Sequence, residues 1–226
     1  MFPTRTEYLD LLIANDRAHE STLDQLDGSS ELLGSTLSIL YRIATCHVQC
    51  RGGDHRFEHL AGRAYNHACG AVLLIRHGYY DEARNLSRSI GEISNLLRLF
   101  FHEPQKYEEW VSCSRAARLQ NFSPRAVREM IENNSSLPAP MDRVEYRELC
   151  ETATHPTPAT IPNPHSDTDT ALIGGIPQLT AADSCLADLS SVLCKLTMCC
   201  AKLVDQDTLF SELTSDLASY VSENAV

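Results

Sequence analysis

Lysine is scarce in this chain of 226 residues: of nineteen cations, sixteen are arginine and three are lysine. Tryptophan occurs once and aromatics make up 7% of the sequence, so an aromatic-rich platform for stacking nucleic-acid bases is missing. There is no glycine-rich phosphate loop and no nucleophile elbow. No apolar run stands out as long enough to cross a bilayer, and no membrane association is expected. The opening Met-Phe-Pro-Thr-Arg-Thr-Glu-Tyr lacks the basic-then-apolar order of a signal peptide, which gives an expectation of cytoplasmic localisation. Strand-like alternation is also scarce, which weighs against a sheet.

What is present is apolar periodicity at three and four. It predicts an all-α, multi-helix bundle with a proline-rich loop and a C-terminal helical hairpin. The expected helices run from about Thr6 to Leu26, Ser30 to Cys50, His55 to His77 and Tyr80 to Phe101. A fifth opens at Pro104, a sixth at Ser123-Pro124, and a seventh runs from the 138–140 prolines to His155. Asp27-Gly28-Ser29-Ser30 and Arg51-Gly52-Gly53-Asp54 are read as breaks, and Gly78 as a C-terminal cap. Residues 155–177 hold five prolines and Gly174-Gly175, so they are expected to form an extended loop or lid. Residues 1–154 are then the bundle core, and 178–226 supply C-terminal helices that pack on it, the last from about Asp207 to Val221.

Within 179–203, Ala182, Leu186, Leu189, Leu193, Leu196, Cys200 and Leu203 alternate by four and three. Three heptads fit a bundle helix packing at a shallow angle, and the sharper alternative is a protein-partner or homodimer interface. The nine cysteines are expected to be reduced and mostly buried, because three of them (Cys194, Cys199, Cys200) share one apolar helix rather than lying in loops. Charge is uneven. Residues 1–41 carry two basic and seven acidic groups, residues 42–130 thirteen and nine, and residues 131–226 four and fourteen, within a net charge of −11. Acidic flanks weigh against nonspecific DNA binding but leave room for an arginine-lined site in the middle third.

Two segments introduce polar groups into apolar helical patterns. In the first, Arg84, Arg88, Glu92 and Asn95 share about one quadrant of the helical wheel, with Leu86, Ile90, Ile93, Leu97 and Phe100 nearly opposite. In the second, Tyr146 and Arg147 precede Glu151 and His155, and Pro156 forces His155 to a helix end. A histidine there suits general acid–base work or, alternatively, a helix-terminal dipole contact. The stripe on the first segment fits either a substrate-binding set or a solvated face with an Arg88–Glu92 pair. A third grouping, Cys46, Cys50, His55 and His59 around the Gly52-Gly53 turn, has the donor types of a tetrahedral zinc site. His55-Arg-Phe-Glu58-His59 also spells an inverted zinc-protease motif. Two buried thiols and two surface histidines account for the same residues more simply.

Gly78-Tyr79-Tyr80-Asp81-Glu82-Ala83, then Arg88-Ser89-Ile90-Gly91-Glu92, then Tyr146-Arg147 and His155-Pro156 together resemble an uncharacterised bacterial group within the HEPN-like helical superfamily, over about residues 55–160. HEPN domains are helical bundles, often dimeric. Many are metal-independent ribonucleases of toxin–antitoxin, CRISPR or phage-defence systems, and others are non-catalytic. The resemblance implies Arg147 and His155 as a catalytic pair acting on RNA, with Arg84, Arg88, Glu92, Asn95 and Tyr146 binding substrate. Seven residues separate Arg147 from His155, against four to six in the nuclease motif. The alternative is a non-catalytic interaction module in which Arg88, Glu92 and Arg147 form a structural network.

Overall fold

A computed structural model of the protein describes residues 27–45, 55, 57–134, 138–155, 175, 176, 178–204 and 207–224. The described residues form an all-α, multi-helix bundle. The helices are α1 (Asp27–Ala44), α2 (Glu58–Arg76), α3 (Tyr80–His102), α4 (Gln105–Ser112), α5 (Arg115–Asn121), α6 (Pro124–Asn134) and α7 (Arg143–Leu149). A π turn, Cys150–Thr154, prolongs α7, and α8 (Leu179–Leu203) and α9 (Asp207–Asn224) follow. The expected helix before Leu26, the Arg51–Asp54 turn and nearly all of the 155–177 loop lie outside the described residues.

Helix α3 is the axis of the bundle. Tyr80, Ala83, Ile90, Ile93, Leu97, Leu99 and Phe100 are buried on several sides of it, as are the polar Ser87, Ser94 and Asn95. It packs against α2, α8, α6, α7 and the π turn. Helix α2 buries Ala61, Ala64, Ala68 and Ala71, which recur at three and four, among α1, α3 and α8. Side chains this small let helix axes approach closely. Gly78 ends α2 with φ 77°, a left-handed conformation that costs glycine little. A Cβ on Gly78 would stand 2.4 Å from the backbone nitrogen of Ile176, so the turn also admits the chain that leads into α8.

Helix α8 lies among α1, α2 and α3. Its heptad positions Ala182, Leu186, Leu189, Leu193, Leu196 and Cys200 are all buried within this chain. The seam is therefore a bundle seam, and a homodimer through 179–203 would require the protomer to open. By length and composition α8 is also long and apolar enough to cross a membrane, contrary to expectation, although most of its apolar window is buried here. The difference arises because Ala and Cys residues keep the mean hydropathy high without forming an obvious Leu/Ile run. Tyr80 anchors its start: the hydroxyl donates to the Gln178 carbonyl at 3.1 Å and accepts from the Gln178 N–H at 2.7 Å. Gln178 is the N-cap residue of this helix, in extended conformation. Helix α9 completes the expected hairpin, with Leu209 and Leu213 buried against α8 and α1.

Two helix boundaries depart from expectation. Helix α1 starts at Asp27, so the Asp27–Ser30 stretch belongs to the helix and is no break before it. The chain between Ser112 and Phe122 forms a separate helix, α5, whose N-cap Ser114 accepts a hydrogen bond from the Ala117 N–H at 3.2 Å. Arg118 on α5 donates to the carbonyls of Trp110, Val111 and Cys113, the free ends of α4.

Seven cysteines fall among the described residues and all are free thiols. Burial pushes Cys185 up to about 12 and Cys194 up to about 11, and raises Cys200 as well. Thiolate is the reactive species. Alkylation of the native protein at pH 8, mapped by mass spectrometry, should therefore leave Cys185, Cys194 and Cys200 unmodified until urea unfolds the chain. Labelling of these three at the unfolded rate under native conditions would contradict the packing of α8.

Candidate functional site

The polar stripe of α3 faces neighbouring elements, and Arg84, Arg88 and Asn95 are each bonded to one. Arg84 reaches α8: its Nε donates to Asp188 Oδ2 at 3.1 Å and its Nη2 to Ser184 Oγ at 3.0 Å. Arg88 Nη1 donates to Glu92 Oε1 one turn along α3 at 2.6 Å and to the hydroxyl of Tyr146 on α7 at 3.2 Å. Asn95, one helical repeat beyond Arg88, is buried and clasps the backbone of Met141. Its Nδ2 donates to the Met141 carbonyl at 2.9 Å and its Oδ1 accepts from the Met141 N–H at 2.9 Å. A side-chain amide thus replaces the backbone partners that residue 141 lacks in an irregular segment.

The same segment needs Gly91. A Cβ there would lie 1.9 Å from the methyl carbon of Met141, so any larger residue would make the end of this buried side chain shift. Immediately after Met141, a capping box starts α7. Asp142 Oδ1 accepts from the Val144 and Glu145 N–H groups, and Glu145 Oε2 accepts from the Asp142 N–H at 3.1 Å. The other oxygen of Glu145 holds Lys195 of α8 at 2.5 Å.

Tyr146 is the hub of the polar cluster. The guanidinium of Arg128, from α6, lies 4.2 Å from the ring centroid, and that of Arg88 lies 5.7 Å from it. Both distances fall within cation–π range. Arg128 is 8% exposed, and its Nη1 has no hydrogen-bond partner. Periodicity gives no hint of this residue: an arginine between the buried Val127 and Ile131 reads as a surface position. Burial pushes the Glu92 carboxyl up, while Arg88, the Tyr146 hydroxyl and Arg128 pull it down. Burial also raises the Tyr146 hydroxyl, with Glu92 adding to the shift.

Arg147 and His155 stand outside this cluster. Arg147 is 74% exposed at its side chain and bonds Glu151 through Nε at 3.1 Å. It takes no part in the Arg88–Glu92–Tyr146 network, which corrects the alternative that grouped it there. His155 is exposed at the end of the π turn, in extended conformation, and its N–H donates to the Cys150 carbonyl at 3.0 Å. Of the zinc grouping, Cys46 and Cys50 lie outside the described residues. His59 stacks on Trp110 with ring centroids 6.3 Å apart, and Glu58 accepts from the Phe57 N–H at 3.2 Å. Among the described residues no three His, Cys, Asp or Glu side chains gather as a metal site.

These features define an all-α bundle whose polar core is an intrachain clasp between α3 and residues 138–154. No family model, no curated protein and no solved structure matches the chain.

Two predictions follow from the clasp. Asn95→Ala leaves both backbone groups of Met141 buried and unpaired, and should lower the unfolding free energy by about 3 kcal/mol in urea titration. A loss below about 0.5 kcal/mol would show that the clasp contributes nothing. The second concerns pH. Because burial raises Glu92 above its ordinary 4.5, the folded state holds this proton more tightly than the unfolded chain. Its contribution to stability is greatest below 4.5 and falls as pH rises through the raised folded value. The stability of wild type minus that of Glu92→Gln should therefore decline from pH 4.5 upward, and a constant or rising difference would refute the burial of this carboxylate.

Proposed function

We propose that this chain is a non-catalytic helical interaction module of HEPN-like type, in which Arg84, Arg88, Glu92, Asn95 and Tyr146 hold helices together and bind no substrate. The observation that carries this reading is the saturation of the α3 stripe. Arg84 bonds Asp188 and Ser184, Arg88 bonds Glu92 and Tyr146, and Asn95 bonds Met141. A substrate phosphate would have to break these bonds to reach the arginines, leaving Asp188 and Glu92 without their cations.

A metal-independent ribonuclease of a defence or toxin system is the second reading, and the π turn favours it. A π hydrogen bond closes over one residue more than an α bond. The seven residues between Arg147 and His155 therefore take up the register of about six in continuous α-helix, inside the spacing of the nuclease motif that the sequence resembles. Both side chains are also open to solvent, where RNA could reach them.

The two readings separate in one assay. Structured and unstructured RNA are incubated with wild type, Arg147→Ala and His155→Ala in buffer containing EDTA. The module reading predicts no cleavage by any of the three, with all melting within about 3 °C of one another because exposed positions contribute little stability. Cleavage by the wild type that falls at least tenfold in both variants would overturn it in favour of the nuclease.

A further inference from the structure

A cavity of about 500 Å³ opens between the end of α3, residues 138–145, the C-terminal half of α8 and the start of α9. Small-molecule sites typically span about 300–1,000 Å³. Its walls are apolar, with Phe101, Ala139, Met198 and Phe210 among them. Three cations, Arg98, Lys195 and Lys202, and two carboxylates, Asp142 and Glu145, also line it. The last 96 residues, 131–226, contain only four cations, and two of them are at this cavity, which sets it apart from its acidic surroundings.

The charges are not equivalent. Lys195 is neutralised by Glu145 at 2.5 Å, and Lys202 by Asp207 at 2.5 Å, with its ammonium 4.3 Å from the centre of the Phe210 ring. Arg98 has no hydrogen bond or ion pair with any described residue, and its buried Nε has no partner. Arg98 is only partly buried, so its guanidinium opens on the cavity while its Nε is shielded from water without an acceptor, and buried donors are ordinarily satisfied. The missing partner is one acceptor group carrying one negative charge. A carboxylate matches the planar fork and the single charge, whereas a phosphate monoester would bring closer to two.

We propose that this cavity binds an apolar monocarboxylate, an acyl or aryl acid, with its carboxylate on Arg98 and its hydrocarbon body against Phe101, Met198 and Phe210. The walls supply affinity through burial of apolar area, and Arg98 supplies selection for the acid over its uncharged analogue. The site stands apart from Arg147 and His155, so it does not depend on whether the chain cleaves RNA.

Calorimetric titration with decanoate and with 1-decanol tests it on the full chain. Wild type should bind decanoate saturably and at least tenfold more tightly than decanol. Arg98→Gln should erase that preference by weakening decanoate at least tenfold while leaving decanol unchanged. Met198→Trp, which fills the cavity, should remove binding of both while the circular dichroism spectrum stays helical. Absence of saturable decanoate binding, equal affinity for acid and alcohol, or decanoate binding that survives Met198→Trp would each overturn the proposal. If Arg98→Gln does not fold, the acid-to-alcohol ratio on wild type decides.

Discussion

The bundle depends on how α3 satisfies its polar edge. Packing against α2, α6, α7 and α8 leaves Arg84, Arg88 and Glu92 only partly exposed and Asn95 buried. A buried polar group left unpaired costs on the order of 1–3 kcal/mol, so three of the elements beside α3 bring partners. Helix α8 brings Asp188 and Ser184, and α7 brings Tyr146. The segment before α7 brings the backbone of Met141. Hydrophobic burial gathers the helices, and this set of bonds fixes which residue of α3 stands beside which residue of its neighbours.

The 138–154 segment shows the dependence most clearly. It has little regular structure before Arg143. Its position rests on Asn95 gripping Met141, on Gly91 leaving space for that methionine, and on a capping box that turns the chain directly into α7. Glu145 then serves two elements at once, one oxygen closing the capping box and the other holding Lys195. The same lysine lines the cavity in which Arg98 has no ion pair among the described residues. Clasp and cavity are thus neighbouring consequences of one docking arrangement.

Much of the helical order is legible in the sequence. Gly78 reads as a left-handed cap, Ser123-Pro124 as a helix start, and the 182–203 alternation as a long packed helix, because each is a local pattern with a local cause. Ser114 as a cap and Asp142 with Glu145 as a capping box are local too, and attention to them would have placed the starts of α5 and α7. The role of the α3 stripe is of another kind. A helical wheel shows that Arg84, Arg88, Glu92 and Asn95 share a face, but not whether water, substrate or another helix lies against it. The answer sits in contacts such as Asn95–Met141, 46 residues apart, and in an arginine at 128 that no periodicity marks. The π turn is equally invisible, since it follows from how Cys150–Thr154 pack on α3 and not from their propensities.

The central claim is that Asn95 holds Met141 through its backbone in an otherwise irregular stretch. Native-state hydrogen exchange at the Met141 amide tests it most directly, because without the clasp this N–H has no partner in regular secondary structure. The account predicts exchange as slow as that of the α3 core amides, governed by global unfolding, and accelerated at least a hundredfold in Asn95→Ala. Fast exchange of the Met141 amide in the wild type, at the rate of an open loop, would contradict it.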